Sequence, residues 1–135
     1  DDRLYVYSDK DAVYQVLYNL CENAVKFSKD GGLYRITIKD NGGKVSVSVF
    51  DEGMGISKDD LPHVFDRFYK SDKSRGLDKS GVGLGLYIVK TIMDNLGEQI
   101  TVDSVLGEYC NFTLNLTKYT GKLPSAQEQH IDKKE

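Results

Sequence analysis

Tryptophan is absent from the 135 residues, and proline, histidine, cysteine and methionine occur only twice each. Two cysteines, Cys21 and Cys110, far apart and set in apolar patterns, exclude a disulfide-stapled scaffold. They also exclude a thiolate metal site, which needs more ligands at closer spacing, so they read as small buried hydrophobes in a reducing compartment. His63 and His130 have no His, Cys or Glu partner at ligand spacing and read as surface histidines. No run of about 18 apolar residues exists to span a bilayer. The chain opens on Asp1 and Asp2, where a signal peptide needs positive charge, and this start without Met reads as a boundary inside a longer sequence. A basic excess is missing too: 18 Lys and Arg against 21 Asp and Glu give −3, which argues against a nucleic-acid partner.

What is present suits one folded domain. Hydrophobic residues make up 39% and charged residues 29%, and a chain this long buries roughly two-thirds of its unfolded surface. Leu4 to Tyr7 is a strand candidate. Ser8 and Asp9 are good helix caps ahead of a helical pattern to about Ser28, whose apolar stripe is Val13, Val16, Leu17, Leu20, Ala24 and Phe27. Lys29 to Gly32 is a turn. Leu33–Lys39 and Lys44–Asp51 alternate around Asn41-Gly42-Gly43, which predicts a hairpin. Ser57 is placed to cap a short helix from Lys58 to about Phe65, with Pro62 limiting its regularity. Tyr69 to Ser80 carries six charges and one aliphatic residue, Leu77, and reads as a solvated, mobile loop. A second helix is expected from near Val82–Gly85 to about Asn95, with Leu84, Ile88, Ile92 and Leu96 near one face and Gly97 as its cap. Ile100–Ser104 and Cys110–Leu116 predict a closing hairpin around Leu106-Gly107. The domain is read as residues 1–119, followed by a polar, disordered tail over 120–135. The order predicts an α+β two-layer sandwich, a mixed sheet covered on one face by helices.

Three constellations stand out, each weak alone. On the first helix Asn19, Glu22, Asn23 and Lys26 share a face, which by spacing is most often only a solvated face. Two carboxamides one turn apart present hard oxygens suited to Mg²⁺, and Lys26 could hold phosphate oxygens. Asp51-Glu52-Gly53-Met54-Gly55-Ile56 lies where a strand ends. Its carboxylate can accept from an exocyclic amine such as that of adenine, and its glycines admit a flat ring, although Asp-x-Gly-x-Gly is also simply a good turn. Gly81-Val82-Gly83-Leu84-Gly85-Leu86 opens onto a helix N-terminus and offers amides to an anion. It lacks the Gly-Lys-Ser/Thr of a Walker loop and the preceding strand of a dinucleotide fingerprint.

Together these motifs resemble the ATP-binding domain of sensor histidine kinases, within the gyrase, chaperone, histidine-kinase and mismatch-repair ATPase superfamily, from about Asp9 to Leu116. Asn19-Leu20-Cys21-Glu22-Asn23-Ala24-Val25-Lys26 fits the Asn-Leu-x-x-Asn-Ala-x-Lys helix of that family at every fixed position. The resemblance implies a Bergerat-type fold that binds ATP and Mg²⁺. It assigns metal chelation to Asn23, support to Asn19 and phosphate contact to Lys26. Asp51 takes the adenine amine, with Gly53, Gly55, Ile56 and Phe27 about the base. Gly81, Val82, Gly83, Leu84 and Gly85 surround the triphosphate. Phe65-Asp66-Arg67-Phe68-Tyr69 matches the phenylalanine-rich box that begins the ATP lid, so Phe68 joins the nucleotide set, although core packing explains Phe65 and Phe68 equally well. Where the family has arginine to reach the terminal phosphate, this chain has Lys70, so that role falls to Lys70, Lys73 or Arg75. Val82 stands where a hydroxyl residue is frequent, Phe27 where tyrosine is, and Tyr109-Cys110 where Gly-Thr or Gly-Ser is usual.

No His-Glu/Asp-x-Arg/Lys phosphoacceptor box occurs: His63 is followed by Val-Phe-Asp and His130 by Ile-Asp-Lys. The expected activity is therefore transfer of the γ-phosphate from Mg-ATP to a histidine on a dimerisation domain outside this sequence, with a response regulator downstream. The resemblance further implies a cytosolic position in a membrane-bound parent and a monomeric state for this piece. Two rival classes stay open. One is a sister enzyme, an anti-sigma-factor-type serine kinase or hydrolysing ATPase. The other is a degenerate nucleotide-binding scaffold that docks partners without catalysis.

Overall fold

Helix α1 begins where Asp9 can begin it. The Asp9 carboxylate accepts from the amides of Asp11 and Ala12 at 2.9 and 3.0 Å and satisfies two donors that the first turn leaves open. From there Lys10–Phe27 is helical, with Asp11 in the first turn and Lys26 in the last, both signs favourable to the helix dipole. A computed structural model of the chain describes residues 3–69 and 84–121. Its remaining elements are β1 (Tyr34–Asn41), β2 (Lys44–Glu52), a 3-10 turn (Leu61–His63), α2 (Gly85–Leu96), β3 (Gln99–Val105) and β4 (Tyr109–Thr117).

The strands form one sheet in the order β1-β2-β4-β3. All three pairings are antiparallel, which corrects the expectation of a mixed sheet while leaving the two-layer α+β architecture as expected. β2 and β3 do run the same way, but the β3–β4 hairpin folds back so that β4 lies between them. The helices cover one face. There β2 contributes Val45, Val47, Val49 and Asp51, and β4 contributes Cys110, Phe112, Leu114 and Leu116, every second residue of each strand. Of these, Val47, Val49, Cys110, Phe112, Leu114 and Leu116 pack with Val16, Leu20 and Ala24 of α1 and Val89 and Met93 of α2 as one core.

Four local expectations give way to tertiary context. Leu4–Tyr7 makes only an isolated bridge between Val6 and Lys118, held by backbone bonds from Tyr7 to Thr117 and from Tyr119 to Tyr5. The helix expected over 58–65 is reduced to the 3-10 turn at Leu61–His63, because Pro62 has no amide with which to continue an α-helical ladder. Helix α2 buries the face of Val89 and Met93, so Ile88, expected near one face with Leu84, Ile92 and Leu96, is 37% exposed while Ile92 and Leu96 pack against the core. Phe65 does pack edge-on against Phe112 at 6.0 Å, but Phe68 is 60% exposed and takes φ 63°, so it is not a core residue. Beyond the described residues lie His130, all of the expected tail from position 122 onward, and most of the charged loop. No helix among the described residues is long and apolar enough to cross a membrane.

Candidate functional site

The floor of the site is the end of an apolar file. On β2 the inward alternation Val45, Val47, Val49 continues to Asp51, so the strand's period carries a carboxylate into the covered face. Asp51 is 3% exposed. Its Oδ1 has no hydrogen-bond partner among the described residues. Burial pushes its pKa from 3.8 up to about 6. A buried acceptor left open costs free energy unless something donates to it, and that marks a ligand position.

The next residues pack backbone against backbone and admit no side chain. A Cβ on Gly53 would lie 2.2 Å from the Phe27 carbonyl oxygen and 3.0 Å from Asp51 Oδ1. A Cβ on Gly55 would lie 2.2 Å from the Val105 carbonyl oxygen, and Gly55 has φ +63°, which L side chains rarely adopt. The loop is tied on both sides. The Met54 amide donates to Phe27 O at 3.0 Å, and Ser28 bridges Gly53, which fastens it to the C-terminal end of α1. Gly53 N donates to Glu108 O at 3.3 Å, Gly107 N to Met54 O at 2.7 Å, and Ile56 N to Ser104 Oγ at 2.7 Å, which fasten it to the β3–β4 turn. Sequence reasoning did not single out Ser104, Val105 or Glu108. They act through one hydroxyl and two backbone carbonyls, and a backbone contact leaves no trace in residue type.

Helix α1 brings its polar face to the same end. Asn19 and Asn23 are partly buried and Lys26 is exposed. Gln15 Nε2 donates to Asn19 Oδ1 at 3.1 Å, which engages that carboxamide oxygen. Among the described residues no hydrogen bond engages the Asn23 carboxamide. Lys26 stands over the Phe27 ring at 5.9 Å. Among the described residues no three His, Cys, Asp or Glu side chains gather as a metal cage. A hard cation there would therefore rest on carboxamide and phosphate oxygens.

Helix α2 starts at Gly85 with no side-chain cap on Leu84. Among the described residues no side chain caps its first amides, and a Cβ on Gly85 would meet nothing within 4 Å. A twelve-residue helix with such an end suits an anion. Phe27 adjoins the Gly53–Gly55 loop through its carbonyl oxygen and Ile56 follows it, whereas Phe68 is exposed. The Arg67 guanidinium lies 5.6 Å from the Phe68 ring and 5.2 Å from the Tyr87 ring of α2. Lys70, Lys73, Arg75, Gly81, Val82 and Gly83 lie outside the described residues.

Residues 8–120 match the family described as histidine kinase-, DNA gyrase B-, and HSP90-like ATPase. Among curated proteins, the sensor histidine kinase WalK of Bacillus subtilis is 40% identical over 134 residues, 98% of this chain and 21% of WalK. The chain thus spans about a fifth of the curated relatives it matches. Among solved structures, the mycobacterial sensor histidine kinase MprB superposes with TM-score 0.76 at 26% identity, over 85% of this chain and 78% of that one. Full-length ShkA in complex with AMPPNP superposes with TM-score 0.74 at 29% identity, over 90% of this chain and 25% of ShkA.

Proposed function

The chain belongs to the histidine kinase-, DNA gyrase B-, and HSP90-like ATPase family, and from that premise we propose that it is the ATP-binding catalytic domain of a sensor histidine kinase. One observation carries the reading beyond the family. The buried Asp51 carboxylate has an oxygen with no hydrogen-bond partner among the described residues, and a Cβ on the adjoining Gly53 would lie 3.0 Å from it.

In this reading Asp51 accepts the exocyclic amine of adenine, while Gly53 and Gly55 line the ring with Phe27 and Ile56 beside it. Asn23 supplies a carboxamide oxygen to Mg²⁺, and Asn19, held by Gln15, supports the helix face that presents it. The metal, when bound, neutralises charge on the phosphate oxygens. Lys26 adds a cation on the next turn, and the α2 amides at Leu84 and Gly85 receive the phosphates with Gly81, Val82 and Gly83. Lys70, with Lys73 or Arg75, reaches the terminal phosphate, and Phe68 covers the nucleotide. The work of these groups is positioning and charge neutralisation for in-line transfer to a histidine nitrogen. That histidine and the base that orients it belong to a dimerisation domain of a longer parent, since neither His63 nor His130 stands in a His-Glu/Asp-x-Arg/Lys box. A response regulator then receives the phosphoryl group. The piece itself is monomeric, and the parent is anchored in a membrane with this domain in the cytosol.

Calorimetric titration with AMPPNP, with and without Mg²⁺, beside an Asp51→Asn variant, tests the reading. Magnesium-dependent binding that collapses in the variant supports it. Absence of binding up to the millimolar range, roughly −4 kcal/mol, would sink it and favour a scaffold.

A further inference from the structure

Among the described residues no strand lies beyond β1, and all eight of its residues are exposed. Its alternation sets Tyr34, Ile36 and Ile38 on the covered face, opposite Asp51, Val49 and Val47 of β2. Helix α1 lies over β2 and against α2, so Ile36 and Ile38 stay 57% and 60% exposed and lie outside the core. Their backbone is open as well. The Glu52 amide donates to Leu33 O at 3.0 Å, so by alternation the odd-numbered residues of β1 pair with β2. The N–H and C=O groups of Tyr34, Ile36, Ile38 and Asp40 then point away from the sheet. The other face of the strand carries charge of one sign. Arg35 stands over the Phe50 ring at 5.0 Å, and Lys39 lies opposite Ser46 further along. Neither has an ion-pair partner among the described residues.

An open edge with an apolar face is a template for another strand. Charge decides which strand. In a second copy of this chain, the antiparallel register of fullest overlap centres on Thr37. It sets Arg35 of each copy against Lys39 of the other, like charges directly opposed, which disfavours that occupant. Acidic residues at those two places, with apolar ones between them, make the same contacts attractive. One strand on one edge is a small interface, below the roughly 1,200 Å² of a standard one, so it needs a tether that keeps it close. The chain spans about a fifth of the curated relatives it matches, and a longer parent supplies that tether. We propose that the edge of β1 docks an extended segment from another part of the same polypeptide. Its residues alternate apolar and acidic, and it adds as a fifth strand to the four-stranded sheet beside Ile36 and Ile38. The inference rests on the longer parent of the preceding reading and is independent of the nucleotide site.

The test joins a probe strand of alternating valine and glutamate to the full chain after Glu135 through a glycine-serine linker, and reads amide hydrogen exchange at low salt. The joined probe should slow exchange at Tyr34, Ile36, Ile38 and Asp40. Arg35, Thr37 and Lys39, already bonded to β2, should exchange as before. Prolines in place of the central valines should remove the protection, because those amides face the edge. Arg35→Glu with Lys39→Glu reverses two cross-strand charge pairs and should lower the protection about 10-fold. A probe with lysine for glutamate should restore it in that variant. Thermal melts and ADP titrations should match the unaltered chain in every case, since these side chains lie outside the core and the nucleotide site. No protection at the four amides, or protection that survives the prolines or ignores the charges, would overturn the proposal. So would dimerisation of the unaltered chain through β1 by sedimentation, which gives the edge to a second copy. Protection by the free probe peptide at micromolar concentration would give it to a separate protein and overturn the tethered assignment. Failure of the unaltered chain to bind ADP would sink the nucleotide site and leave this result standing.

Discussion

Asp51→Asn should make the ligand-free protein more stable at neutral pH while destroying its affinity for nucleotide. The carboxylate is 3% exposed and its pKa is raised by burial from 3.8 to about 6. A group whose folded pKa lies above its unfolded one contributes stability that is complete below the unfolded value and is lost as pH rises through the folded one. Asp51 therefore costs the fold nothing near pH 3.8 and its full penalty above pH 6 or so, with most of the loss between. About two units at 1.36 kcal/mol each bound that penalty at about 3 kcal/mol. Asparagine keeps the shape without the charge but leaves its own amide unpaired, which returns about 1 kcal/mol or more. A net gain of about 1–2 kcal/mol remains, or about 3–8 °C in Tm for a domain of this size. Thermal melts of both proteins from pH 4.5 to 8, with and without saturating ADP, provide the measurement. The gap should widen as pH rises to about 6.5 and then level off, and ADP should raise the Tm of the unaltered chain alone. A variant no more stable than the parent at pH 7.5, or a gap that ignores pH, would refute the account of Asp51 as a destabilising charge held for a ligand.

Gly55→Ala meets both a φ of +63° and a Val105 carbonyl oxygen at 2.2 Å, so denaturant melts should show a loss of about 2 kcal/mol or more, with weaker ADP binding. Gly85→Ala, with nothing within 4 Å, should stay within about 0.5 kcal/mol of the parent in the same melts. Asp9→Ala removes the cap from Asp11 and Ala12. It should cost about 1 kcal/mol by urea unfolding, with ADP affinity nearly unchanged, because the cap lies at the far end of α1 from Asn23 and Lys26. Asn23→Ala should abolish the difference between AMPPNP titrations with and without Mg²⁺. Retention of that difference would move the metal to other ligands.

The parts of the molecule that were legible in advance are those governed by near neighbours in sequence. The cap at Asp9 and the stripe Val16, Leu20 and Ala24 of α1 behave as their spacing predicts. So do the turn at Gly42 with φ 80° and the αL cap of α2 at Gly97 with φ 68°. Asp51 was legible as a site candidate because carboxylate and glycines adjoin in one segment. The faces of elements were harder. Ile88 and Val89 are adjacent and both aliphatic, so period alone does not separate them, and packing on the sheet buries Val89. Phe68 looked like a core aromatic, yet its backbone at φ 63° turns the chain and it stays exposed.

The sequence by itself determined the limits of α1 and α2, both hairpins, the two-layer class and the family, because each rests on interactions within a few residues or on contiguous motifs. Only the tertiary structure decided that Asp51 is sealed from water with an open acceptor. It alone set Cys110 opposite that carboxylate, set Ser104 and the β3–β4 turn under the glycine loop, and made every strand pairing antiparallel. Burial, cross-strand register and the pKa shifts that follow are set by chain segments that meet only when the sheet closes, and local periodicity holds no information about which segments those are.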